Sequence, residues 1–118
     1  MYYLQKTITF SAAHRLALPY ESPCNNLHGH NWAITVYLRA QTLNENGMIE
    51  DFKHIKEKIQ AQFDHAVLND FMAQPTAENI ARHIQGELAP HCYRVDVVES
   101  EGSVASYVEE EGENVPCG

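Results

Sequence analysis

The sequence predicts an α+β domain in which two helices cover one face of a four-stranded antiparallel sheet, in the order ββααββ. Three observations lead there: apolar and polar residues alternate near both ends of the chain, two stretches of helical period lie between, and turn residues mark the changes of pattern. At 118 residues the chain can bury one core and not two, so residues 1–118 read as a single domain.

The first strand is predicted over Tyr2 to Phe10, with Tyr2, Leu4, Ile8 and Phe10 on one face and Lys6 as the one break. Ser11 to Gly29 has no period and contains Pro19 and Pro23. A connection this long in a small domain is functional or disordered, and its histidines and cysteine favour function. The next strand, about His30 to Ala40, places Trp32, Ile34, Val36, Leu38 and Ala40 on one face. Asn44 to Gly47 supplies a turn.

Asp51 to about Asp64 reads as a helix, because Phe52, Ile55, Ile59 and Phe63 recur at helical spacing and Asp51 can cap it. A second helix opens at Pro75-Thr76, buries Ile80, Ile84 and Leu88, and is stopped by Pro90. Two strands follow, with Tyr93, Val95, Val97 and Glu99 on one side of the first and Val104, Ser106 and Val108 on one side of the second. Glu101-Gly102 supplies the hairpin turn. Residues from about 109 to 118 read as an acidic, frayed tail. A sheet of this kind has two open edges, which subunit pairing would satisfy, so an oligomer is expected.

Composition excludes several functions. Hydrophobic content of 44% and charged content of 20% belong to a globular chain. A net charge of −8 with eight Lys and Arg argues against nucleic acid as a partner, since phosphate backbones need a basic face. Three cysteines, Cys24, Cys92 and Cys117, form no disulfide framework and suit a reducing compartment. With no signal pattern and no long apolar run, the expected location is cytoplasmic, away from any membrane.

The chemistry concentrates in His14, His28 and His30, with Cys24 between them. Three neutral imidazoles can hold Zn2+ and leave its fourth position open. His28 and His30 are two apart and share parity with Trp32 and Ile34, so in a regular strand both rings face the buried side. A cupin-type metal barrel also uses His-X-His but needs a carboxylate soon after, and Asn31-Trp32-Ala33-Ile34-Thr35-Val36 has none.

Spacing leaves two readings of Cys24: a fourth ligand, or a free thiol whose proton the local positive charge loosens, acting as base or nucleophile. Asp64-His65 forms an acid–base dyad only if it converges on the metal site; otherwise it is a helix end with a dipole-favoured histidine. Glu99 shares a face with apolar residues and needs a partner, either an arginine or a ligand with paired N–H donors. Arg15 could meet an anionic group. Cys92 and Cys117 read as a packed side chain and a tail residue.

The runs Ser11-Ala12-Ala13-His14-Arg15 and Cys24-Asn25-Asn26-Leu27-His28-Gly29-His30 resemble the signature of the 6-pyruvoyl-tetrahydropterin synthase family. Asp51-Phe52, Asp64-His65 with Leu68-Asn69-Asp70, Pro75-Thr76-Ala77-Glu78-Asn79, and Glu99 followed by Tyr107 match it in order, from about Thr9 to Tyr107. The three-residue gap between Cys24 and His28 resembles the bacterial 6-carboxytetrahydropterin synthase (QueD) branch of queuosine biosynthesis.

The resemblance implies the tunnelling (T-) fold, with three subunits closing a β-barrel and two trimers stacking into a homohexamer. It implies zinc on His14, His28 and His30, Glu99 as the pterin anchor, and Cys24 as base, with Asp64 and His65 as a relay from a neighbouring subunit. The implied reaction is a lyase step on 7,8-dihydroneopterin triphosphate giving 6-carboxytetrahydropterin and acetaldehyde. A pyruvoyl-tetrahydropterin synthase or a related enzyme of a pterin or folate route, or else a non-catalytic pterin- or zinc-binding protein, would be the alternative.

Overall fold

The computed structural model describes residues 1–110; the acidic run from 111 onward, with Cys117, lies outside the described residues. The elements are β1 (Tyr2–His14), β2 (His28–Ala40), α1 (Phe52–Phe63), β3 (Ala66–Val67), α2 (Ala77–Glu87), β4 (Cys92–Ser100) and β5 (Ser103–Val108). The α+β class and the two helices are as the sequence predicts. The sheet has five strands, not four, in the order β3-β1-β2-β4-β5. The addition is β3, a two-residue strand parallel to Ala12 and Ala13 of β1.

β1 also runs four residues beyond the predicted end, because Ala12, Ala13 and His14 pair with His30, Gly29 and His28. Ser11-Ala12-Ala13-His14 has little hydrophobic contrast, so its alternation is invisible in sequence. Even-numbered residues of β1 and β2 face the helices: Ile8, Phe10, Trp32, Ile34 and Val36 are buried against Ile55, Ile59, Phe63, Ile80 and Ile84. Pairing continues this face across the sheet, with Val97 opposite Ile34 and Val95 opposite Val36. An irregularity at Tyr37/Leu38 then breaks the parity, so Leu38 lies opposite Cys92. Cys92 is fully buried, whereas Tyr93 turns to the other face and meets Tyr3, Tyr37 and the Arg39 guanidinium.

Both helices begin on side-chain caps, Asp51 accepting from the Lys53 N–H and Thr76 from the Asn79 N–H. Each such cap is worth ~1 kcal/mol. At the other end of α1 the chain leaves through His65, whose φ of 61° lies in the left-handed region. Its N–H donates to the Ser11 carbonyl at 2.6 Å, which feeds the chain onto the edge of β1. Glycine is the usual residue at such a helix exit.

The sheet face without helices carries hydroxyls, amides and one ionic cluster. Thr7 bonds Thr35 at 2.9 Å and Ser11 bonds Asn31 at 2.7 Å. Asp96 receives hydrogen bonds from Tyr37, Arg94 and Ser106. Burial alone would raise the Asp96 carboxyl, but those three donors outweigh it and hold it below the ordinary value. Glu109, predicted to be frayed, is tied down: its N–H donates to the Tyr93 carbonyl and its carboxylate accepts from Gln85. Among the described residues no helix is long and apolar enough to cross a membrane.

Candidate metal centre

The extended β1 makes His14 the cross-strand partner of His28, and β2 begins at His28, two residues earlier than predicted. His14, His28 and His30 therefore stand on one face of adjacent strands, at the end of the core. Their ring centroids are 4.6 to 5.2 Å apart, and the Trp32 ring closes the floor at 4.9 Å from His14 and 5.3 Å from His30. One ligand atom from each imidazole falls within 4.8 Å of the other two, so the three could hold a metal ion.

The rings are aimed by their other nitrogens. His14 Nδ1 lies 2.7 Å from the Pro75 carbonyl and His28 Nδ1 lies 2.7 Å from the Asn26 carbonyl. An Nδ1–H donating to a carbonyl leaves Nε2 with a free lone pair, the arrangement that metal-binding histidines adopt. Nε2 of His14 and of His30 are buried without any hydrogen-bond partner. Leaving such an atom unsatisfied costs about 1–3 kcal/mol, and a cation shared among the rings removes that penalty. The donor set therefore fits a divalent ion of nitrogen preference.

Burial is the main reason that His14, 1% exposed, holds its proton more weakly than the ordinary value of 6.5. The positive character of His28 and His30 adds to this, while the Pro75 carbonyl and Glu99 oppose it. The unfolded chain then binds more protons than the folded one at mildly acid pH, so stability rises with pH through that window. The contribution is complete above 6.5 and is lost as pH falls through the lowered folded value. The urea midpoint of the metal-free protein is thus expected to drop as pH falls below 6.5, less steeply in His14→Gln; a flat profile would contradict it.

The other predicted site residues divide into two groups. Glu99 comes to the imidazoles, its carboxylate oxygens 3.8 Å from His14 Nε2 and 3.6 Å from His30 Nε2. Its nearest side-chain partners among the described residues are thus the two imidazoles. Cys24 is a half-buried free thiol in a short turn of 3₁₀ helix (Pro23–Asn25), on the loop between β1 and β2. Among the described residues, the cluster of mutually close ligand atoms contains three imidazoles and no thiol.

Asp64 and His65 are not brought to this cluster within one chain. They sit at the outer edge of β1, where Asp64 Oδ1 accepts from the Ser11 N–H at 3.0 Å. Asp64 Oδ2 lies 3.6 Å from His65 Nε2, and His65 is 82% exposed. His65 lines an open cavity of about 440 Å3 with Ser11, Ala13, Asn31 and His30, so one imidazole of the cluster borders the same space as the dyad. Sequence reasoning missed the Pro75 carbonyl that orients His14. Backbone carbonyls leave no trace in a motif, and only the 61-residue separation closed by the fold brings this one into place.

Comparison with known proteins identifies relatives in sequence and in fold. The chain is 34% identical to the 6-carboxy-5,6,7,8-tetrahydropterin synthase of Synechocystis sp. over 121 aligned positions, covering 91% of this chain and 93% of the relative. It is 40% identical to an Archaeoglobus fulgidus protein provisionally given the same name, over 79% of this chain and 84% of the relative. The structure of Caenorhabditis elegans 6-pyruvoyl tetrahydropterin synthase superposes with a TM-score of 0.73 at 26% identity, covering 92% of this chain and 96% of that one. The family model for 6-pyruvoyl tetrahydropterin synthase matches residues 3–110, which takes in all but the first residue of the sheet, both helices and the three histidines. On sequence and fold together, this chain belongs to the 6-pyruvoyl tetrahydropterin synthase family.

Proposed function

We propose that the protein is a zinc-dependent lyase that converts 7,8-dihydroneopterin triphosphate and one water to 6-carboxy-5,6,7,8-tetrahydropterin, releasing acetaldehyde and triphosphate. The observation that carries the proposal is the tri-imidazole cluster with its two orphaned, buried Nε2 atoms. The names of the Synechocystis and Archaeoglobus relatives support the carboxy product.

His14, His28 and His30 would hold the ion. Bound zinc would supply Lewis-acid polarisation of the substrate's side-chain oxygens, which acidifies the neighbouring C–H. Cys24 takes that proton, its thiol lying outside the ligand cluster and so available as a base. Glu99 anchors the pterin by accepting from paired ring N–H donors, and its place beside two imidazoles keeps that anchor next to the reacting side chain. Asp64 and His65 form the proton relay. Their exposure at the edge of β1 supports delivery of this dyad into a neighbouring subunit's site. The left-handed backbone at His65 supports a functional reason for keeping an imidazole where glycine would cost less.

The assembly we propose is the family's T-fold barrel, three subunits joined edge to edge and two such rings stacked as a hexamer. β3 covers only Ala12 and Ala13 of β1, and β5 ends the sheet on the other side, so both edges offer unpaired backbone groups within the described chain. No nucleic acid or membrane enters this reading, and the reducing cytoplasm remains its compartment.

The test is incubation of the zinc-loaded protein with 7,8-dihydroneopterin triphosphate and identification of products by mass. Acetaldehyde together with 6-carboxytetrahydropterin is expected. A pyruvoyl product without acetaldehyde would assign the other branch of the family, and an unchanged substrate would overturn the lyase reading.

A further inference from the structure

Residues 15 to 27, between β1 and β2, include no buried side chain, yet the loop carries the thiol. Apolar packing therefore does not set its position; side-chain amides do. Asn69 Oδ1 accepts from the Arg15 N–H at 2.9 Å while its Nδ2 donates to the Arg15 carbonyl at 2.9 Å. Gln74 repeats the pattern two residues on, accepting from the Ala17 N–H at 2.8 Å and donating to the Ala17 carbonyl at 3.4 Å. Asn25 closes the loop on itself by accepting from the Leu18 N–H and donating to the Tyr20 carbonyl.

The residue between the two clamped positions, Leu16, donates its N–H to the carbonyl of Cys24 at 2.8 Å. The stretch that supplies Asn69 and Gln74 ends in Pro75, whose carbonyl aims His14. One short segment therefore fixes both the backbone that carries the thiol and an imidazole of the metal centre.

We infer that Asn69 and Gln74 are positioning residues, an amide clamp that holds the Cys24 loop in register with the three imidazoles. The inference rests on the proposed function for its kinetic consequence and on hydrogen bonding alone for its structural one. An amide suits the task because it donates and accepts at once, pairing with both backbone groups of one residue as a neighbouring strand would. Loss of the clamp lets the thiol wander while the cage, held by β1, β2 and Pro75, stays.

The test compares wild type, Asn69→Ala, Gln74→Ala and Asn69→Asp, all loaded with zinc. The aspartate keeps the acceptor for the Arg15 N–H and lacks the donor for the Arg15 carbonyl. In the alanine variants kcat on 7,8-dihydroneopterin triphosphate is expected to fall by about 10²-fold, the scale of a small misplacement of a reacting group. KM and the zinc-to-chain ratio should hold, and Asn69→Asp should lie between. The rate at which iodoacetamide alkylates Cys24, followed by peptide mass, should rise severalfold in the same order. Wild-type kcat and alkylation rates in both alanine variants would overturn the clamp, as would a kcat loss that merely tracks zinc loss. Should one alanine variant not fold, the other and Asn69→Asp carry the comparison. A wild-type protein without turnover would sink the proposed function, and the alkylation series would still decide the clamp.

Discussion

Replacing Cys24 with alanine is expected to reduce turnover by ~10²–10⁴-fold, the range that a positioned acid–base group contributes, while zinc content and pterin affinity stay at wild-type levels. The expectation follows from the geometry of the centre, in which three imidazoles are mutually close and the thiol is outside the cluster. Loss of metal from Cys24→Ala would instead make the sulfur a ligand and favour a closed, non-catalytic site. A companion experiment tests the shared site. His65→Ala should be inactive alone, as should Cys24→Ala, but co-refolded mixtures of the two should regain turnover. A neighbouring chain then supplies the missing imidazole to an intact thiol. Mixtures that stay inactive, or a protein that sediments only as monomer, would rule out the two-chain site.

The second large effect is expected at the cage itself. His28→Ala should lower zinc affinity by more than the roughly 10–100-fold that loss of an outer-shell partner costs, and activity should fall with metal occupancy. His14→Ala should do the same and destabilise the fold as well. His14 is buried and its Nδ1 satisfies the Pro75 carbonyl, so truncation leaves a cavity and an orphaned acceptor worth about 1–3 kcal/mol. His28 is half-buried at the strand start, which makes its variant the cleaner measure of the metal alone. Zinc titration of each variant by competition with a chromophoric chelator, beside urea melts of the metal-free forms, separates the two contributions. Undiminished affinity in His28→Ala would remove it from the ligand set.

Local pattern carried most of the architecture. Period-2 alternation identified four of the five strands and period-3.6 spacing both helices, because each repeats the demand of the same buried face. The same parity argument placed His28 and His30 on the core side, and the structure sets them there on β2. It failed where parity is broken or carries no contrast. The irregularity at Tyr37/Leu38 turns Tyr93 outward and Cys92 inward, and nothing in Cys92-Tyr93-Arg94 announces it. The alanines of β1 are too small to advertise a face, so the strand that carries His14 looked like loop. β3 is two residues long, shorter than any period.

By itself, then, the sequence determined the order of elements, the apolar face and the two histidines spaced along one strand, since these depend on neighbours a few residues apart. The fold alone decided that His14 stands across from His28, that the Pro75 carbonyl aims it, and that Asn69 and Gln74 hold the thiol's loop. Those contacts join residues 14 to 61 positions apart, single polar pairings with no repeat to reveal them. They come into being only when hydrophobic burial has packed the helices on the sheet and carried the segments between them to the edge of β1.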